Sequence, residues 1–219
     1  MRTGELLGRG RDADVYALVG DRTRVLRRYR DGTHATGEAE VMAHLADHGY
    51  PVPAVHPGAS PEPPDLVMER LEGPTLLHAA LAGEVAAEEA GAILGDLLHR
   101  LHAVPGGIIH LDLHPDNVML TPRGPMVIDW RNAERGPSGL DRAMSAVILA
   151  QAAVGDWPVA APVLAALLPR LDDATADHLP EARARRAANR TMSPSEVADL
   201  EPAMDLIRGL RWPEAQISL

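Results

Sequence analysis

Along the first third of the chain, apolar and polar positions alternate in short runs that suit strands. Residues 5–8 and 14–19 form two such runs on either side of Gly8, Arg9 and Gly10, and residues 24–30 alternate with a period of two. One helix interrupts them: Val41, Met42 and Leu45 fall at helical spacing within 37–48, and Gly49 with Pro51 beyond it supplies a stop. Residues 52–55 suit a further strand, residues 56–64 hold four prolines and read as loop, and 65–71 form a last strand before Gly73 and Pro74.

Beyond Pro74 the period changes. Ala90, Ile93, Leu94, Leu97, Leu98 and Leu101 occupy one stripe of 86–104, the mark of a helix laying one face on a core. Pro105, Gly106 and Gly107 end it, a short β region covers 108–129, and from Leu140 onward the pattern is helical, broken near Pro158, Asp172 and Ser193 with Pro194. The pattern therefore predicts an α+β fold of two lobes. A small β-rich lobe covers 1–72 and a larger, mainly helical lobe covers 73–219.

Composition narrows the function classes. Apolar residues make up 46% of the 219 and charged residues 24%, enough for a real core in a globular protein. No cysteine is present, which excludes disulfides and thiolate metal sites and allows a reducing compartment. No apolar leader follows the N-terminal methionine, and no run approaches the roughly 18 apolar residues that span a bilayer, so a cytoplasmic location is expected. A net charge of −10 disfavours nucleic acid and anionic membrane as partners and favours a cationic small molecule. All 21 basic residues are arginine, so no mechanism that needs a lysine amine is open to this chain. Arg183, Arg185, Arg186 and Arg190 form the one basic cluster and suit a solvated helix face. Asp156, Asp172, Asp173, Asp177, Glu181 and Glu196 are read in the same way, as residues facing water.

The candidate chemistry lies between His110 and Asp129. Apolar runs at 118–120 and 126–128, separated by a turn containing Pro122, Gly124 and Pro125, predict a β-hairpin. A hairpin brings the residue before its first strand beside the residue after its second, with antiparallel partners about 4.5–5.5 Å apart. Asn117 and Asp129 are thereby expected to converge, offering an amide oxygen and a carboxylate, hard donors that suit Mg²⁺. Asp112, in the loop feeding the hairpin, is placed to accept a proton from an attacking hydroxyl. The same aspartates also suit turns and caps, and His110 with His114 also suits packing or a metal pair. Pro115, however, breaks the helix that such a pair needs.

The run His110-Leu111-Asp112-Leu113-His114-Pro115-Asp116-Asn117-Val118, followed by Ile128-Asp129-Trp130, closely resembles the aminoglycoside phosphotransferase and choline kinase-like family. That family has the protein-kinase fold and phosphorylates small-molecule hydroxyls. The resemblance spans roughly residues 4 to 150 and implies a role for each matched position. Asp112 is the catalytic base, and Asn117 and Asp129 hold Mg²⁺. Gly8 and Gly10, with Val15 beyond them, cover the nucleotide, although the third glycine of the pattern is missing. Val25 roofs the base, and Arg27, on the same strand face, reaches the phosphates from the place of the family's lysine. Glu38, with Glu40 as fallback, is the carboxylate partner of Arg27. Met68 packs behind the purine, and the backbone of Glu69 and Leu71 bonds its edge. Asp141 braces the catalytic loop, unless it is simply a helix cap. Too few residues separate Asp129 from Asp141 for a long activation loop.

The implied enzyme moves the γ-phosphate of Mg-ATP or Mg-GTP to an alcohol and is a monomer or homodimer. Two alternatives stand beside it. One is a non-catalytic nucleotide-binding pseudokinase, motivated by Arg27 and the incomplete glycine loop. The other is a minimal atypical protein kinase.

Overall fold

The alternating runs become strands β1 (Thr3–Arg9), β2 (Ala13–Leu18) and β3 (Asp21–Tyr29), followed by α1 (Thr36–Asp47) and β4 (Asp65–Glu69). Next come α2 (Leu76–Leu81), α3 (Ala87–Ala103), β5 (Ile108–Ile109), β6 (Val118–Thr121), β7 (Gly124–Val127) and β8 (Glu134–Arg135). Helices α4 (Ser138–Val154), α5 (Ala160–Leu167), α6 (Ala174–Ala187), α7 (Pro194–Ala198) and α8 (Leu200–Arg211) follow among the described residues. This computed structural model describes residues 2–10, 12–155 and 157–211. The chain falls into two units, Met1–Gly73 with Met119–Ala133, and Pro74–Val118 with Glu134–Leu219.

In the first unit β1 to β4 form one antiparallel sheet in chain order. Leu18, Leu26 and Val67 make a core on one face, with Tyr16 and Ala59 packed against them. Because side chains alternate across a strand, Val25, Arg27 and Tyr29 take the other face, and all three are buried. Helix α1 buries Glu38, Ala39, Met42 and Leu45, a stripe that includes an acid. The strand expected at 52–55 shrinks to a single bridge between Val55 and Met68. Pro51 and Pro53 lack the N–H groups that a ladder needs.

β4 stops at Glu69, short of the expected Leu71. The chain leaves the ladder to reach Gly73, at φ +132, where an added Cβ would lie 1.9 Å from the Leu120 carbonyl oxygen. Only glycine allows that crossing against β6. β6 and β7 pair as the expected hairpin.

In the second unit α3 buries Ala90, Gly91, Leu94, Gly95, Leu97, Leu98 and Leu101. A Cβ on Gly91 would come within 2.6 Å of Ala166 and 2.9 Å of the Leu167 nitrogen, so the glycine lets α5 approach closely. Helix α4 is buried from Gly139 to Gln151 with few gaps, as befits an element covered on most sides. Two short elements escaped the sequence pattern. Helix α2 is a single capped segment in which Thr75 accepts from the His78 N–H at 3.2 Å. Polar β8 is a strand only because β5 pairs with it. Among the described residues no helix is long and apolar enough to cross a membrane.

Candidate functional site

In the first unit, sheet register decides which predicted residues meet. Gly8 stands opposite Val15, and Val15 opposite Arg27, while Val25 stands opposite Met68 on the adjoining pair of strands. Cross-strand partners share a face, so Gly8, Val15, Val25, Arg27 and Met68 all line one side of the sheet. Gly10 closes the β1–β2 turn through its N–H, which donates to the Ala13 carbonyl at 2.9 Å, and its own carbonyl accepts from Arg30.

Arg27 is the centre of this face. Arg27 is 7% exposed, and its guanidinium donates to Glu38 Oε1 at 2.9 Å and to Asp129 Oδ1. Burial works against that charge, but the two carboxylates outweigh it and hold Arg27 above the ordinary arginine range. Glu38, 6% exposed, also accepts from the Tyr29 hydroxyl and from the Trp130 N–H at 3.0 Å. Burial raises its carboxyl above the usual range, while Arg27, Tyr29 and the Trp130 N–H oppose the rise. Glu40, the fallback, is exposed. The cation expected on β3, the acid expected on α1 and the acid after the hairpin thus form one linked group. Glu38→Ala strips three donors of their shared acceptor and is expected to cost about 3–5 kcal/mol, read from urea unfolding.

Glu69 and Leu71 lie where β4 gives way to Gly73. The Glu69 N–H donates to the Ala54 carbonyl at 2.8 Å, so any base contact there would use the Glu69 carbonyl. Its carboxylate accepts from the Ala54 N–H at 3.2 Å and from Arg123. A surface hollow of about 590 Å³ is lined by Arg22, Thr23, Arg24, Ala54, His56, Glu69, Arg70 and Glu72. It includes none of Arg27, Glu38 and Asp129, so it is separate from that linked group.

In the second unit the loop carrying Asp112 is held from beneath by Asp141, which is fully buried in the first turns of α4. Asp141 Oδ1 accepts from the Leu111 N–H at 2.7 Å, and Oδ2 accepts from the His110 N–H at 3.1 Å and lies 2.9 Å from His102 Nε2. Its partners lie in other segments of the chain, which makes it a brace; the N-cap of α4 is Pro137. Buried His110 accepts the Asp112 N–H on Nδ1 at 3.2 Å, and His114 Nδ1 accepts the Asp116 N–H at 3.3 Å. Both histidines therefore shape the loop. Asn117 donates through Nδ2 to the Asp112 carbonyl at 2.8 Å, so its Oδ1 is the atom a cation would take.

Among the described residues, the only non-glycines at positive φ are Leu111 at 64° and Asp129 at 65°. Both adjoin predicted site residues or are one. Backbone strain of this kind persists only where surrounding bonds over-determine it. Here the Asp141 bond to the Leu111 N–H does so in one unit, and the Glu38 bond to the Trp130 N–H in the other.

Sequence reasoning missed Arg186. Assigned to a solvated face, it is instead half-buried on α6, and its NH1 stands 3.9 Å from Asp112 Oδ1. Its neighbours Arg183 and Arg185 do face outward, paired with Glu201 and Glu134. Spacing within the cluster carried no signal that could separate the three. Of the acids assigned to water, Asp172 pairs with Arg142 and accepts the Thr175 N–H, Glu181 pairs with Arg185, and Glu196 completes the capping box of α7. Asp173 and Asp177 are exposed, and Asp156 lies outside the described residues.

A family model described as the phosphotransferase enzyme family matches residues 3–107 and 103–187. Two solved structures are similar throughout. The crystal structure of aminoglycoside phosphotransferase APH(4)-Ia is 16% identical, with 93% of this chain and 92% of that one covered at a TM-score of 0.59. The ADP-bound crystal structure of aminoglycoside phosphotransferase APH(2'')-Ib is 12% identical, with 96% and 95% covered at a TM-score of 0.56. Among curated proteins, none matches this chain. The small antiparallel sheet and mainly helical remainder are the kinase-like fold of those two structures.

Proposed function

This chain belongs to the phosphotransferase enzyme family, and from that premise we propose that it moves the γ-phosphoryl group of Mg-ATP, or Mg-GTP, to the hydroxyl of a small molecule. The observation that carries the proposal is the buried Arg27 held between Glu38 and Asp129. A fully charged cation on the face shared with Gly8 and Val15 suits the α- and β-phosphates, and Glu38 fixes its direction.

The donor set suits a divalent cation. Asp129 brings a carboxylate, and Asn117 an amide oxygen whose orientation follows from the bond to Asp112. Mg²⁺, when bound by these residues, would neutralise charge on the phosphate oxygens. Asp112 orients the acceptor hydroxyl and takes its proton. The acceptor oxygen then bonds to the γ-phosphorus, and the bond from that phosphorus to the departing nucleoside diphosphate breaks. Val25 and Met68 supply the apolar surface for the base, with the backbone of Glu69 and Leu71 at its edge. A chain without cysteine is allowed in a reducing compartment, and a cytoplasmic setting is part of this proposal.

Nucleotide turnover measured over a panel of alcohols, with and without Mg²⁺, tests the reading. Nucleoside triphosphate consumption that needs both the metal and an acceptor, with label recovered on the small molecule, is the expected result. Label on a partner protein would point to a protein kinase. Nucleotide binding without turnover would point to a non-catalytic binder.

A further inference from the structure

We propose that Arg131 is a positioning residue for the nucleotide. Through Asp12 it sets the β1–β2 loop over the phosphates and ties that loop to the turn carrying Asp129. This rests on the phosphotransferase reading and adds to it a residue outside the motif that led there.

Three consecutive residues after the hairpin each grip a different segment of the first unit. Asp129 accepts from Arg27 on β3, and the Trp130 N–H donates to Glu38 on α1. Arg131 reaches the turn after β3, where its Nη2 donates to Asp31 Oδ2 at 2.6 Å. Its guanidinium carbon lies 4.7 Å from the centroid of the Tyr29 ring. The same ring meets Arg27 at 5.3 Å, and the Tyr29 hydroxyl donates to Glu38. Arg131 is thus seated on a residue already bonded into the linked group, and the ring and Asp31 together set its direction.

The remaining edge of the guanidinium points at the loop. Nη1 stands 3.6 Å from Asp12 Oδ1, and it is buried with no hydrogen-bond acceptor among the described residues. Asp31 and Asp12 match the charge of Arg131, so it acts through those contacts and is not a ligand for phosphate. A buried N–H without an acceptor is costly, and a bond between two charged groups is stronger than a neutral one. Such bonds reach full strength at about 2.9 Å, so a small approach of Asp12 completes this one and settles the loop. The loop backbone is anchored separately. The Arg30 N–H donates to the Asp12 carbonyl at 3.0 Å, and the Arg30 guanidinium donates to the Gly10 carbonyl. Replacing Arg131 therefore releases the Asp12 side chain and leaves those anchors in place.

The test compares Mg-ATP with adenosine as ligands for the full chain, by calorimetry, in Arg131→Gln, Asp12→Asn and the double variant. Each single variant is expected to weaken Mg-ATP about 10-fold and leave adenosine unchanged, with partial recovery in Arg131→Lys. The double variant should be no weaker than the worse single one, because both remove the same contact. A merely structural role would weaken the two ligands equally, which overturns the proposal, as do losses that add in the double variant. Hydrogen exchange of a peptide covering residues 8–14 gives a readout that needs no nucleotide. Exchange in the free protein should quicken in both single variants. If it does so while wild type binds neither ligand, Arg131 still sets the loop and only the phosphotransferase reading fails. Exchange indifferent to both variants overturns the assignment whatever the binding data show.

Discussion

Asp112→Asn is expected to lower phosphoryl transfer by about a thousandfold while leaving nucleotide affinity and thermal stability little changed. The loop around Asp112 is held by groups that this substitution does not touch. The Asp112 carbonyl still accepts from Asn117, the Asp112 N–H still reaches His110, and Asp141 still holds the Leu111 and His110 N–H groups. What disappears is the carboxylate that the proposed mechanism uses to take the acceptor's proton. Steady-state turnover with the best acceptor, set beside nucleotide binding by calorimetry, separates the two effects. Transfer at the wild-type rate would remove Asp112 from the base role and with it the mechanism.

Asp141→Asn should be the most damaging conservative change to stability, at about 3–5 kcal/mol. The carboxylate is fully buried and serves two backbone N–H groups and His102, and an amide presents donors where acceptors are needed. Leu111, strained at φ 64, loses the bond that holds it, so transfer should fall together with stability. The effect carries a pH signature. Burial alone would raise the Asp141 carboxyl, but His102, His110 and the Leu111 N–H outweigh it and hold the group below the usual carboxylate range. Its folded pKa is therefore lower than its unfolded value of about 3.9. The unfolded state binds more protons between those two values, so the stabilisation is complete above about pH 4 and is lost as pH falls through the folded pKa. Urea unfolding of both proteins across that range should show their difference constant near neutrality and shrinking on acidification. A difference that grew with acid would contradict the assignment.

Some of the molecule was legible because its signals are local. The hairpin at β6 and β7 follows from two apolar runs around a turn of proline and glycine. Helix α1 follows from Val41, Met42 and Leu45, and its phase alone separates buried Glu38 from exposed Glu40. Alternation along β3 set Val25 and Arg27 on one face before any contact was known. Within each such element the backbone geometry dictates which side chains point together, so a few neighbouring residues suffice.

Other features depend on partners far along the chain, and no local pattern encodes them. β8 is a strand only because Ile108 and Ile109 accept it as a partner. Asp141 reads equally well as a cap or a brace until the loop from His110 to Leu111 folds over it. Arg183, Arg185 and Arg186 are chemically identical in the chain, and burial against Gln151 alone separates the third from its solvated neighbours. Local periodicity thus writes elements and motifs into the chain. The environment of a charge is a sum over distant segments and arises only when they pack.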